Sequence, residues 1–187
     1  MSERKTQTQR REATQAVLLA VARKQFGEKG YVETSLEDIA SACGVTVRPI
    51  YHYFESKLGL FRAVTEQIER ESVANIYNYE EPNAADIWTG FMANCEDSHF
   101  RQIILIDGPT LLGRSRTTEG AIAVAAREET AKVLGRRPDG LTMSLLFGAL
   151  SSAALYIAEK GASPEDYDRI RELIEFHSKK RLKEKLC

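Results

Sequence analysis

Apolar residues recur along nearly the whole chain at helical spacing. Over residues 9–28, Leu18, Ala22 and Phe26 stand at i, i+4 and i+8, while Arg10, Arg11, Arg23, Lys24 and Glu28 take the opposite face. Gly30 is placed to end this first helix. Thr34 and Ser35 precede Leu36, Ile39, Ala40 and Cys43, an i, i+3, i+4, i+7 stripe, with Ser35 as N-cap and Asp38 three residues on. Gly44 stops this second helix after about two turns. Thr46 is the expected cap of a third helix, with Pro49 in its first turn and Ile50, Tyr53 and Phe54 on its inner side. Ser56 caps a fourth, which carries Leu58, Phe61 and Val64 and continues toward Tyr77.

After Glu81-Pro82-Asn83 the helical pattern resumes with Ile87, Trp88, Phe91, Met92 and Cys95. Ile103–Ile106 is a short apolar run interrupted by Asp107-Gly108-Pro109. It reads as helical because no second strand-like run exists to pair with it. A polar stretch from Gly113 to Gly120 predicts a loop, and Ala121–Leu134 an alanine-rich helix. Leu141–Glu159 follows as a long helix expected to be buried, and Pro164 opens a last helix with Tyr167, Ile170, Leu173, Ile174 and His177. The pattern predicts an all-α chain.

Leu141–Ala158 runs 18 residues without a charge, at the lower limit for a membrane span. Thr142, Ser144, Ser151 and Ser152 interrupt it, and the reading is a covered helix of a cytoplasmic protein, for which a partner subunit is one cover. The N-terminus shows no secretory pattern. Cys43, Cys95 and Cys187 are odd in number and widely spaced, so they make no disulfide framework and fit a reducing compartment. The 187 residues suffice for a sizeable core, and a net charge of −1 excludes a polycation without excluding a local basic patch. The charge is asymmetric along the chain: residues 1–62 carry 10 Lys and Arg against 7 Asp and Glu.

The second and third helices, short and joined at Cys43-Gly44-Val45, make a helix-turn-helix, whose second member enters the DNA major groove. Thr34, Ser35, Thr46, Tyr51, His52 and Lys57 place hydrogen-bonding groups around helix N-termini, which suits phosphate contact. Arg4, Lys5, Arg10 and Arg11 fit either a solvated face or a basic arm tracking DNA.

Thr34–Phe61, T-S-L-E-D-I-A-S-A-C-G-V-T-V-R-P-I-Y-H-Y-F-E-S-K-L-G-L-F, resembles the DNA-binding domain of TetR/AcrR-family transcriptional regulators. The I-A, G-V, I-Y-x-Y-F and S-K-x-x-L elements carry the likeness, with F-x-x-K-G-Y upstream at Phe26–Tyr31. L-I-D-G-P-T-L-L-G at Leu105–Gly113 is also similar to a segment common in such regulators. The resemblance implies a three-helix helix-turn-helix domain over residues 1–55 and a ligand-sensing and dimerisation bundle over 56–187, about nine helices in all. It further implies a homodimer, a double-stranded DNA operator and a small-molecule inducer that relieves repression. It puts Thr46, Val47, Arg48 and Pro49 at the exposed start of the recognition helix, Tyr51 and His52 facing DNA, and Lys57 on a phosphate. Cys43 stands where the family usually has alanine. Arg48 and Pro49 stand where it often has glycine or small polar residues, and Arg48 adds a side chain suited to guanine O6 and N7.

The same resemblance places an inducer pocket among the middle helices. Trp88, Phe91, Met92, Cys95, His99, Phe100 and Ile103 are the residues available there, with Ile87 beside them, and Asp107 and Arg101 could orient a polar end. This lining suits a mostly apolar or aromatic ligand. The expected dimer interface takes Leu145, Gly148, Ala149, Leu150, Ala153 and Ala154 from the uncharged helix and Ile170, Leu173, Ile174 and His177 from the last one.

Two other readings stand beside this one. A dimeric helical adaptor would keep the bundle without binding DNA. A small metal-binding protein would use Cys95 and His99, which fall at i and i+4, but the remaining ligands of a four-coordinate site are not announced and no metal site is expected. Phosphate-loop, dinucleotide and nucleophile-elbow fingerprints are absent, so neither a cofactor nor an enzymatic activity is expected.

Overall fold

The computed structural model describes residues 6–76, 84–113, 119–160 and positions 163, 165, 166, 169 and 172, with side chains left aside at 75–76, 84–89 and 133–134. Among the described residues every regular element is helical: α1 (Gln7–Glu33), α2 (Leu36–Ala42), α3 (Arg48–Phe54), α4 (Lys57–Ile76), α5 (Ala84–Glu96), α6 (Ser98–Phe100), a π-helical segment (Arg101–Asp107), α7 (Gly108–Leu111), α8 (Ala121–Leu134) and α9 (Gly140–Lys160). The predicted last helix lies almost wholly outside the described residues.

The first core forms where α1 meets α2, α3 and the start of α4. Leu18, Ala22 and Phe26 are fully buried, as are Ile39, Ile50, Leu60 and Phe61. The rings of Phe26, Tyr31 and Phe61 hold the centre, with centroids 5.2–5.8 Å apart and both contacts of Phe61 edge-on. The capping box Thr6/Gln9 starts α1 at Gln7, so Arg10 and Arg11 belong to its first turns and not to a free arm. Gly30, at φ +76° and ψ 169°, is non-helical and interrupts α1 where its end was expected, and one separate turn runs on to Glu33.

α4 carries the packing onward. Ile68 is buried beyond Val64, and Glu69 accepts the Ala121 backbone N–H at 3.0 Å, which caps α8 from a neighbouring helix. The apolar run at 103–106 is helical as expected, but Asp107-Gly108-Pro109 does not break it. The chain passes from α6 through the π-helical segment into α7, with Pro109 in the first turn of α7, where a missing N–H costs nothing.

One local expectation fails. Thr46 does not cap α3: Val47 is the N-cap, with no side-chain hydrogen bond. Helix starts are capped through the N–H of the second or third residue, and the second here is Pro49, which has none. α9, expected to be covered in part by a partner subunit, is half-covered by the described residues of one chain. Met143, Ala154 and Ile157 point inward, while Leu141, Leu145 and Tyr156 are 71%, 66% and 61% exposed. Among the described residues, helices pack against one side of α9, and by length and composition it could cross a membrane.

Candidate DNA-binding face and ligand cavity

α2 ends in a Schellman motif. Val45 N–H reaches back to Ala40 C=O and Gly44 N–H to Ser41 C=O, both at 3.0 Å, with Gly44 at φ +66°. A side chain at that backbone angle is strained, so glycine sets the turn that swings α3 across α2. Ile50 then points into the core, with Val47, Tyr53 and Phe54 half-buried around it. The opposite side of α3 carries Arg48, Tyr51 and His52 at i, i+3 and i+4, all exposed, led by exposed Thr46. Pro49 is half-buried at the edge of this face. Arg11 of α1 sits 5.4 Å over the Tyr53 ring, adding a cation close behind α3.

Three residues from the same sequence reading have partners within the chain, and for Ser35 it is the capping expected. Thr34 is 1% exposed, and its hydroxyl donates to Gly30 C=O at 2.8 Å and Gln25 C=O at 3.1 Å. It closes the end of α1 and offers nothing to phosphate. Ser35 accepts the Asp38 N–H at 3.0 Å as the N-cap of α2. Lys57 donates to Val32 C=O at 3.2 Å, its ammonium 4.4 Å from the Tyr31 ring centroid.

A cavity of about 300 Å³ opens among α4, α5, the π-helical segment, α7, α8 and α9. Of the residues expected to line a pocket, Phe91 does so. The side chains of Ile87 and Trp88 lie outside the described residues. Met92, Cys95 and Arg101 border a separate cleft of about 120 Å³ against Ala154 and Ile157 of α9. Burial pushes the Cys95 thiol up to about 12, against a weaker opposing pull from Arg101. Phe100 and Ile103 are core residues. His99 packs against Gly27 of α1, where a Cβ would run into its ring. Asp107 turns to α1 as well and accepts the Tyr31 backbone N–H. Cys95 and His99 do not share a helical face, because Asp97 caps a new helix between them through the His99 N–H at 2.8 Å. No group of three metal-ligating side chains occurs among the described residues.

The lining that sequence reading missed comes from Ile104, Leu105, Leu112, Ile122 and Phe147, with Thr65, Glu69 and the serines of α9. Ser144, Phe147, Gly148, Ser151, Ser152 and Leu155 follow i, i+3, i+4, i+7, i+8, i+11, a stripe of which sequence reading assigns Gly148 to the interface and treats the serines as polar interruptions of an apolar run. Ile104 and Leu105 face the cavity because the π turn is wider than 3.6 residues, which sends Ile103 to the core. Of the interface residues expected on α9, Leu145, Gly148 and Ala149 are exposed. Leu150 and Ala153 are half-buried against the core, and Ala154 is 1% exposed and already packed. Ile170, Leu173, Ile174 and His177 lie outside the described residues.

The family model of bacterial regulatory proteins, tetR family, matches residues 18–64, from the middle of α1 into α4. The HTH-type transcriptional repressor BepR of Brucella suis biovar 1 is 32% identical over 87 residues. That match spans 45% of this chain and 41% of BepR, less than half of either. A TetR-family transcriptional regulator from Pectobacterium atrosepticum, solved by crystallography, aligns over 92% of this chain and 95% of its own at 27% identity and a TM-score of 0.57. The structure of RolR in complex with resorcinol aligns over 88% of this chain and 86% of its own, at 20% identity and a TM-score of 0.59. With an all-helical fold and a helix-turn-helix at α2–α3, residues 18–64 match the family of bacterial regulatory proteins, tetR family, and the chain as a whole is similar to TetR-family transcriptional regulators.

Proposed function

We propose that this chain is a homodimeric, ligand-responsive repressor acting in the cytoplasm. The observation that carries the reading is the exposed stripe of Thr46, Arg48, Tyr51 and His52 on α3, presented by the Gly44 turn. Four polar or aromatic side chains, on a helix whose other face is anchored by Ile50, form a reader for the major groove. Arg48 pairs with guanine, Tyr51 and His52 flank it, and Arg11 and Lys57 supply charge for the phosphates. Two such helices in a two-fold dimer read a pseudo-palindrome with half-sites spaced by whole helical turns.

The division of labour follows the helices. Residues 1–55 bind DNA, and 56–187 hold the ligand cavity and the dimer contact, with α4 joining them. The exposed apolar side of α9 is the dimer surface, since Leu141, Leu145 and Tyr156 have no cover in one chain. The cavity beside it takes the inducer, as a mostly apolar space of about 300 Å³ with a few hydroxyls suits a small ligand. RolR, of the same fold, carries resorcinol, which supports a small-molecule ligand here. Binding releases the operator only if the ligand favours a dimer whose two α3 helices no longer match the half-sites.

A mobility-shift assay with genomic fragments, repeated across salt concentrations, tests the reading. A retained fragment that Arg48→Ala binds with relaxed sequence preference supports it. An adaptor without DNA binding shifts nothing at any salt concentration, and that result sinks the proposal.

A further inference from the structure

Resting on the reading of this cavity as the inducer site, we propose that it takes an uncharged aromatic molecule bearing a hydroxyl group, with Ser151 as its hydrogen-bond partner. The apolar part of the wall sets the ring. Phe91 and Phe147 lie on it with Ile104 and Leu105 of the π-helical segment, and about 300 Å³ has room for one or two rings.

The polar part of the wall sets the functional group. Hydroxyls within helices commonly close onto their own backbone, as Thr65 does on Phe61 C=O at 2.9 Å and Ser72 on Ile68 C=O at 2.8 Å. Ser144, Ser151 and Ser152 of α9 make no such bond among the described residues. Ser151, half-buried and midway along the wall, therefore keeps both a donor and an acceptor for a ligand.

Charge decides the rest. No lysine, arginine or histidine occurs among the described lining residues, so none of them offers a counter-charge to a buried carboxylate or phosphate. It would also meet Glu69, a carboxylate 7% exposed on the same wall. Glu69 is itself turned to the N-terminus of α8, where the Ala121 N–H and the helix dipole meet its charge, so it does not call for a cationic ligand.

Calorimetry on the full-length protein with four probes of one shape tests this: 2-naphthol, naphthalene, 2-naphthoate and 2-naphthylmethylammonium. 2-Naphthol binds at least about ten-fold tighter than either ion, the size of effect expected when a buried charge lacks a partner. Ser151→Ala weakens 2-naphthol about three- to ten-fold and leaves naphthalene unchanged, as loss of one hydrogen bond requires. Leu105→Trp, which fills the cavity from the π-helical segment, abolishes binding with the helical circular dichroism intact. Tighter binding of either ion, equal binding of 2-naphthol and naphthalene, no effect of Ser151→Ala, or no binding of 2-naphthol overturns the assignment. DNA retention is read separately. If 2-naphthol binds as described and DNA affinity does not change, the repressor-and-inducer reading fails while the cavity assignment stands.

Discussion

The carboxylate of Asp107 accepts the backbone N–H of Tyr31 at 2.9 Å, joining the end of the π-helical segment to the last turn of α1. The same Asp107 oxygen accepts the Gln102 side-chain amide at 3.1 Å, so one acceptor fixes two elements. Ile104 and Leu105 on the same segment line the cavity. A shift of this segment around a ligand therefore acts directly on the helix that supports α2 and α3. Asp107→Ala leaves the Tyr31 N–H without its acceptor and costs about 1–2 kcal/mol in urea unfolding. Asp107→Asn keeps an acceptor and costs less. Equal losses for the two variants would mean that volume, and not the hydrogen bond, holds the contact.

Close approach of α6 to α1 depends on Gly27. A Cβ there runs into the His99 ring, so Gly27→Ala forces a shift and destabilises by about 1–3 kcal/mol. Combining it with His99→Ala removes the obstacle. The double variant recovers part of the loss, and the coupling in a double-mutant cycle measures how much of the cost is this one contact.

Acid sensitivity has a local source on α1 and α4. Burial works against a charge on Glu71, but the Gln67 amide and the Arg23 guanidinium outweigh it and hold its carboxyl below the ordinary glutamate value of 4.5. A carboxylate with a lowered folded value stabilises the protein above its unfolded value. That contribution fades as the pH falls through the folded one. The pair is part-exposed, so its worth is under about 1 kcal/mol. Arg23→Ala lowers stability at neutral pH by that small amount, and the gap from the wild type closes below pH 4.5. A gap that persists there would point to lost packing of the arginine stem.

Lys57 serves the fold and, in the proposed function, the phosphates. Its ammonium lies on the Tyr31 ring and the Val32 carbonyl. Lys57→Met costs about 0.5–1 kcal/mol in thermal unfolding. It also reduces the salt slope of DNA binding by about one, uniformly across sequences. Arg48→Ala instead relaxes preference at one or two base pairs by about 1–3 kcal/mol. An unchanged salt slope for Lys57→Met would restrict Lys57 to the fold.

Leu145, 66% exposed on α9, tests the dimer surface. Leu145→Arg places a charge on the proposed dimer surface and is expected to yield monomers on a sizing column at micromolar concentration, with helical content unchanged. A dimer that survives it would move the interface off this face of α9.

The sequence alone determined the all-α class, the helix-turn-helix and the Ser35, Gly44 and Ser56 signals that bound its helices. These rest on contacts a few residues apart, where periodicity and capping chemistry act. Ile50 inward and Arg48, Tyr51 and His52 outward follow from the same local rule. Tertiary structure alone decided what lay across the molecule. Thr34 has the composition of a phosphate contact, yet its hydroxyl is spent on α1 carbonyls. Cys95 and His99 are four residues apart but belong to different helices once Asp97 caps between them. The family resemblance places Asp107 and His99 in the pocket, whereas a π-helical pitch and the approach of α1 at Gly27 and Tyr31 turn both toward that helix. Whether an uncharged helix such as α9 is buried or merely apolar depends on how many neighbours surround it, and a one-dimensional pattern carries no count of neighbours.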